Sequence, residues 1–246
     1  MGRLLISALP TPEDKQVTPL TRRAALLAAS ACLAGPAVAA ETRRILVFGD
    51  SQAQGLAAGF MRYFRSDRET RVLDRSKIGT GLSRLAFDWP AQAQTLATTE
   101  HATVAFALFG ANDRPPVRGG GEVNEAALRR FTDTYAERVA AVATPFRQAG
   151  VPLVWVGHPI VRDPAFAEDV ALLNDIFADS AAAEAGIYVS TWDTFKGPDG
   201  QYAPYGRGVD GQTVRLRADD GVHLTPAGYD ILATLLVPEL DQPRRG

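Results

Sequence analysis

Apolar positions along the chain fall into two alternating patterns. Short apolar-rich runs occur at 44–49 (RILVFG), 71–76 (RVLDRS), 103–109 (TVAFALF), 151–157 (VPLVWVG) and 187–191 (IYVST). Several are almost continuous, which predicts strands of a parallel sheet covered on both faces. Between them lie helical stripes. Leu128, Phe131, Tyr135, Val139 and Val142 recur at three- and four-residue steps, an amphipathic face. Thr144-Pro145 is expected to kink or restart that helix and Gly150 to end it. A second helix has Asp163 as N-cap, Pro164 in its first turn, a stripe of Phe166, Val170, Leu173 and Phe177, and Gly186 as C-cap. A third begins at Thr225-Pro226 and carries Tyr229, Leu232, Leu235 and Leu236. This alternation predicts one α/β domain of three layers, α/β/α, around a parallel sheet. Residues 194–222 fit neither pattern, and a stretch that long in a compact domain predicts a functional loop or a small hairpin insert.

The front end reads differently. Residues 21–41, TRRAALLAASACLAGPAVAAE, place twin arginines (Arg22, Arg23) before an apolar stretch from Ala24 to Leu33, with Ala37-Val38-Ala39 as an A-x-A cleavage site. Residues 1–39 are therefore expected to be a cleaved signal peptide. The arginine pair suggests the Tat route, which implies a periplasmic or secreted protein and a single domain over 40–246. The alternative is a short N-terminal anchor, although the apolar stretch is brief for a bilayer span. Cys32 is the only cysteine and falls inside this segment, so the mature chain is expected to lack a thiol nucleophile, a disulfide and cysteine metal ligands. With 46% hydrophobic and 22% charged residues and a formal net charge of −2, the composition is that of an ordinary soluble domain. It shows no basic excess of the kind nucleic-acid binding requires.

Candidate chemistry starts at Gly49-Asp50-Ser51, where the first predicted strand runs into small residues. Ser51 reads either as a reactive serine at a strand-to-helix turn or as a helix N-cap, a task Asp50 could also perform. Neither phosphate-loop nor dinucleotide glycine patterns occur here. A reactive serine needs a base, and the chain has three histidines. His101 precedes a strand, on the side of the sheet away from the strand ends where ligands bind. His158 follows a strand and is possible. His223, in DDGVHLTPAGY, has Asp220 three residues earlier. Two readings follow: on a tight turn that carboxylate can reach Nδ1 and leave Nε2 free to accept a serine proton, or the pair only decorates a helix entry. An oxyanion needs several converging donors, each worth roughly 3–4 kcal/mol. Ser51 N–H, a glycine N–H from KIGTGLSR (77–84) and the carboxamide of Asn112 in LFGANDR (108–114) would supply three. Arg84, Trp89, Arg114 and Arg217 adjoin these segments. Trp89 is expected to pack, and the arginines to be solvated or paired.

Taken together, Gly49-Asp50-Ser51, Gly81, Gly110-x-Asn112-Asp113 and Asp220-x-x-His223 resemble the four blocks of the SGNH (GDSL) hydrolases, in the family's order and at compatible spacing. The resemblance implies a flavodoxin-like fold with a five-stranded parallel sheet in the order 2-1-3-4-5. It also implies serine esterase chemistry without metal or cofactor, acting on a small-molecule or glycan ester. It carries over Ser51 as nucleophile, His223 as base, Asp220 as its orienting acid, and Ser51, Gly81 and Asn112 as oxyanion donors, with Gly79 competing for the second block. The departure is at position 52, where Gln replaces leucine. GDSQAQGL, TGLSRLAFDWP and RADDGVHLTPAGY are also similar to an exported bacterial branch near enzymes of acetylated cell-envelope polysaccharides. Two other readings stand beside an esterase: an O-acetyltransferase acting on a glycan, and a non-catalytic carbohydrate-binding domain on the same fold.

Overall fold

The structure, a computed structural model, describes residues 42–115, 118–119 and 122–241. The expected signal peptide, with Cys32, lies outside the described residues. Five parallel strands, β1 (Arg43–Gly49), β2 (Thr70–Ser76), β3 (Val104–Leu108), β4 (Leu153–Val156) and β5 (Ile187–Val189), form one sheet in the order β2-β1-β3-β4-β5. This is the expected 2-1-3-4-5 arrangement, and the strand ends fall within two residues of the apolar runs.

The reason β1 is central is written in its side chains. Successive residues of a strand point to opposite faces. Leu46 and Phe48 enter one core with Trp89, Phe146 and Trp155, while Ile45 and Val47 enter the other with Phe60, Leu232 and Leu236. All four of these β1 residues are fully buried, so neither face can meet water. Helices α1 (Ser51–Tyr63) and α6 (Pro226–Leu236) cover the second face. Helices α2 (Trp89–Thr99), α3 (Glu125–Gln148) and α4 (Pro164–Ala183) cover the first. A one-turn helix α5 (Trp192–Phe195) follows β5.

Two helix ends differ from expectation. Pro145 neither restarts nor ends α3, which runs through it to Gln148. Pro145 lies in the last turn, where its missing N–H costs only one bond, and Phe146 beside it is anchored in the core by stacking on Phe48. The helix stops where Gly150 takes a left-handed φ of 64°, with Gly150 N and Val151 N donating back to the Arg147 and Phe146 carbonyls. At the end of α4 the cap is Glu184, not Gly186. The left-handed residue is Ala185, at φ 54°, and Gly186 N closes the turn onto Ala181.

The irregular 194–222 stretch contains an antiparallel hairpin of Tyr205–Arg207 against Thr213–Arg215, the second of the two forms expected for it, a functional loop or a small hairpin insert. It then returns through Arg217, bridged to Leu224, into the turn that holds Asp220 and His223. Because β2 pairs with β1 on one side and β3 pairs with it on the other, the strand order reverses at β1, and the carboxyl ends of β1 and β3 mark the usual ligand position in open α/β sheets.

Candidate active site

Ser51 is the first residue of α1, but it does not cap it. Asp50 is the N-cap: its Oδ1 accepts from Gln52 N at 2.9 Å, and its Oδ2 accepts from Ala111 N at 3.0 Å. One carboxylate therefore fixes the turn from β1 into α1 and ties it to the loop carrying Asn112. Asp50 is fully buried, and burial pushes its carboxyl up to about 7 against these N–H donations, with the Asp113 charge adding to the rise. Gly49, at φ 137°, has no room for a Cβ because the Leu108 carbonyl occupies that space. With capping taken over by Asp50, the Ser51 hydroxyl is free to face outward.

That hydroxyl meets His223. Ser51 Oγ lies 2.7 Å from His223 Nε2, and His223 Nδ1 lies 2.6 Å from Asp220 Oδ2. Asp220 Oδ1 also accepts from Val222 N at 2.8 Å and His223 N at 2.9 Å, closing the tight turn that the D-x-x-H spacing predicted. Burial alone would raise the Asp220 carboxyl, but the Val222 N–H and the His223 ring and backbone outweigh it and hold it at about 2. It is thus ionised at any physiological pH. A carboxylate on Nδ1 requires the proton there, which leaves Nε2 as acceptor for the serine proton.

The expected oxyanion donors lie on the three strand-end loops. Ser51 N–H, at the start of α1, has no intrahelical acceptor. Asn112 donates one carboxamide N–H to the Thr80 carbonyl at 2.9 Å, joining the β3 and β2 loops, and the other has no protein acceptor among the described residues. The two candidate glycines sit in different settings. Gly79 is exposed with open space around it, whereas a Cβ at Gly81 would overlap the Asp113 carboxylate. Asp113 explains the shape of this loop. Fully buried, it accepts from Leu82 N, Ser83 N, Ser83 Oγ and the Tyr135 hydroxyl at 2.7 to 3.0 Å. Trp89 packs as expected, and its Nε1 also steadies the loop through Thr80 Oγ1 at 3.0 Å.

The other histidines are placed elsewhere. His101 is exposed beyond α2, before β3. His158 is fully buried behind the site against Gln52. Arg114 pairs with Asp169 at 3.1 Å and Arg84 is exposed, as expected, but Arg217 is neither solvated nor seen in an ion pair among the described residues. Arg217 lies against the Tyr202 ring at 5.0 Å, donates from Nη2 to the Val222 carbonyl at 3.0 Å, and leaves Nε and Nη1 without a hydrogen-bond partner. Composition gave no sign of this, since the packing of the arginine depends on a tyrosine ring fifteen residues away. Gln52 was visible in the sequence as a departure from leucine, yet its partners were not.

A family model described as "Protein of unknown function (DUF459)" matches residues 44–239. The chain belongs to this DUF459 family. No curated protein matches it. Solved structures similar to this DUF459 member include a GDSL-like lipase from Bacteroides thetaiotaomicron, 15% identical over 89% of this chain and 97% of that one, with a TM-score of 0.53. An acetylxylan esterase from Geobacillus stearothermophilus, a catalytic mutant, is 14% identical over 83% and 97%, with a TM-score of 0.57. An inhibitor-bound aryl esterase from M. smegmatis is 13% identical over 80% and 98%, with a TM-score of 0.56. At these identities the likeness establishes the fold. The DUF459 domain has the SGNH (GDSL) hydrolase fold, with its sheet in the same strand order.

Proposed function

We propose that the protein is a serine esterase that hydrolyses an O-acetyl or short acyl ester through an acyl-enzyme. The observation that carries this reading is the unbroken chain from Ser51 Oγ through His223 to Asp220, at 2.7 and 2.6 Å. Ser51 Oγ attacks the ester carbonyl as His223 Nε2 takes its proton, and Asp220 keeps the other ring proton on Nδ1. Ser51 N–H, Gly81 N–H and Asn112 Nδ2 stabilise the oxyanion. His223 then protonates the departing alcohol. Water attacks the acyl-serine with His223 again accepting a proton, and the acid leaves as Ser51 regains its hydrogen.

Hydrolysis is favoured over transfer to a sugar because the base stands open to water: the His223 and Asp220 side chains are 36% and 51% exposed. The twin-arginine segment supports export, which would put acetylated envelope glycans within reach and makes them the first substrates to try. The similar acetylxylan esterase points the same way. A fluorophosphonate probe is expected to label Ser51 in the folded protein and to fail with Ser51→Ala. Absence of labelling on well-folded wild type would overturn the reading. Acetate release from p-nitrophenyl acetate and acetylated glycans, compared with acetyl transfer to an acceptor sugar, separates esterase from transferase.

A further inference from the structure

Gln52 stands where the GDSL signature has leucine, and it is a fully buried carboxamide with every side of it engaged. Nε2 donates to the Val222 carbonyl at 2.8 Å and lies 3.3 Å from His158 Nε2, while Oε1 accepts from the Tyr229 hydroxyl at 2.8 Å. The direction of the His158 contact is set from the far side of its ring. Nδ1 is 2.8 Å from the Pro159 carbonyl, which can only accept, so Nδ1 carries the proton and Nε2 presents a lone pair. Burial pushes that imidazole down to about 3, so it stays a neutral acceptor. Facing a carbonyl, a bare ring nitrogen and a hydroxyl, the carboxamide has one orientation, because turning it over would set its oxygen against two acceptors. The Tyr229 hydroxyl reaches it through space that Gly55 leaves on α1, where a Cβ would overlap the tyrosine ring.

These bonds repeat, one residue along, the contact that defines the triad. Ser51 Oγ meets His223 Nε2, and the residue after Ser51 holds the carbonyl of the residue before His223. The turn that carries the base is thereby tied directly to the helix that carries the nucleophile. We propose that Gln52 is a positioning residue: its carboxamide, locked in one orientation by His158 and Tyr229, sets the approach of Ser51 Oγ to His223 Nε2. This deepens the acyl-transfer reading and rests on it. A leucine would occupy similar space, donate nothing to Val222 and leave the Tyr229 hydroxyl and His158 Nε2 without their partner. The Val222 carbonyl would keep only its bond from Arg217.

The test uses Gln52→Leu, Tyr229→Phe and their combination in the full chain, assayed with p-nitrophenyl acetate and a fluorophosphonate. Misplacement of the base slows proton transfer and leaves substrate contacts alone, so Gln52→Leu is expected to lower kcat and the labelling rate about ten- to a hundredfold with KM nearly unchanged. Tyr229→Phe, which removes one hydroxyl, is expected to lower both by a smaller factor, and the double variant to fall no further than Gln52→Leu. The downfield NMR resonance of the His223 Nδ1 proton, assigned by its loss in His223→Ala, is expected to shift or broaden in both single variants. A structural role would lower the thermal midpoint but leave the rate per folded site and this resonance at their wild-type values, and that result overturns the proposal. Should Gln52→Leu fail to fold, Tyr229→Phe decides by the same readings. Should wild type neither label nor turn over, the acyl-transfer reading fails, while the resonance still reports whether Gln52 positions His223.

Discussion

Asp220→Asn is the substitution that separates the chemistry of the triad from the stability of its turn. Asp220 does two jobs with two oxygens. Oδ1 accepts from the backbone N–H groups of Val222 and His223, and Oδ2 accepts from His223 Nδ1. Asparagine keeps one carbonyl oxygen, which can retain the backbone bonds, but then sets an NH₂ against Nδ1. The ring can accept that N–H only by moving its own proton to Nε2, where it points at Ser51 Oγ and cannot take a proton from it. The loss expected for this wrong tautomer is about 10⁴-fold in kcat, or about 5 kcal/mol of transition-state stabilisation, with KM changed little. Asp220→Ala removes both jobs. It should lose a similar rate and also lower stability by about 1–2 kcal/mol as two backbone N–H groups lose their acceptor. The assay is kcat for p-nitrophenyl acetate beside urea unfolding of wild type and both variants. A well-folded Asp220→Asn protein within tenfold of wild-type kcat would refute the assignment of Asp220 and with it the tautomer argument.

Other consequences can be measured separately. Asn112→Ala removes the carboxamide N–H left after the Thr80 bond and should lower kcat about 10²- to 10³-fold with little change in KM, read by steady-state kinetics. His158 is held at about 3 against 6.5 in the unfolded chain. This depressed base therefore contributes stability that is present above pH 6.5 and lost as pH falls toward 3. Wild type should lose about 3 kcal/mol more than His158→Gln between pH 7 and pH 4 in urea unfolding. Asp50, raised from 3.8 to about 7, works in the opposite sense over the same window, favouring the fold at the acid end. The whole-protein curve can therefore look flat, and the difference between wild type and variant is the quantity to compare; parallel curves would contradict the burial argument. Ala185→Gly should raise stability by about 1 kcal/mol, seen as a Tm a few degrees higher, because glycine accepts the left-handed φ of 54° without the Cβ clash alanine suffers there.

What the sequence reveals and what it hides divide along the range of the interactions. The strands were legible because burial on both faces leaves an unbroken apolar run, as in Ile45 to Phe48, and the Asp220–His223 turn was legible because its bonds span three residues. The helix ends were harder. Gly186 looked like a C-cap, but the chain turns one residue earlier at Ala185, and Pro145 did not break α3 because packing of Phe146 on Phe48 outweighs one missing bond. Wholly hidden were contacts between distant segments. Nothing local says that Asp113 gathers the Gly81 loop, that Tyr202 packs on a buried Arg217, or that Gln52 reaches Val222 across 170 positions.

Asp50, not Ser51, caps α1. A serine at the head of a helix can spend its hydroxyl on the N2 or N3 backbone N–H, and such a serine is a poor nucleophile because its oxygen is already committed as an acceptor within the helix. Asp50 removes that demand by supplying the cap one residue earlier, and its second oxygen reaches Ala111 and brings the Asn112 loop alongside. The arrangement costs a carboxylate buried to the point that its pKa is about 7, more than a cap alone requires, since an ordinary cap aspartate sits half in water. That expense makes sense if the residue it frees does chemistry. Asp50→Ser tests this directly. A serine at position 50 could still cap α1 but has no second oxygen for Ala111, so stability should fall by about 1–2 kcal/mol while the Asn112 loop loosens. The kcat for p-nitrophenyl acetate should then drop by more than tenfold in protein that remains folded at 25 °C. A folded Asp50→Ser variant with wild-type kcat would mean that the buried carboxylate serves the helix alone.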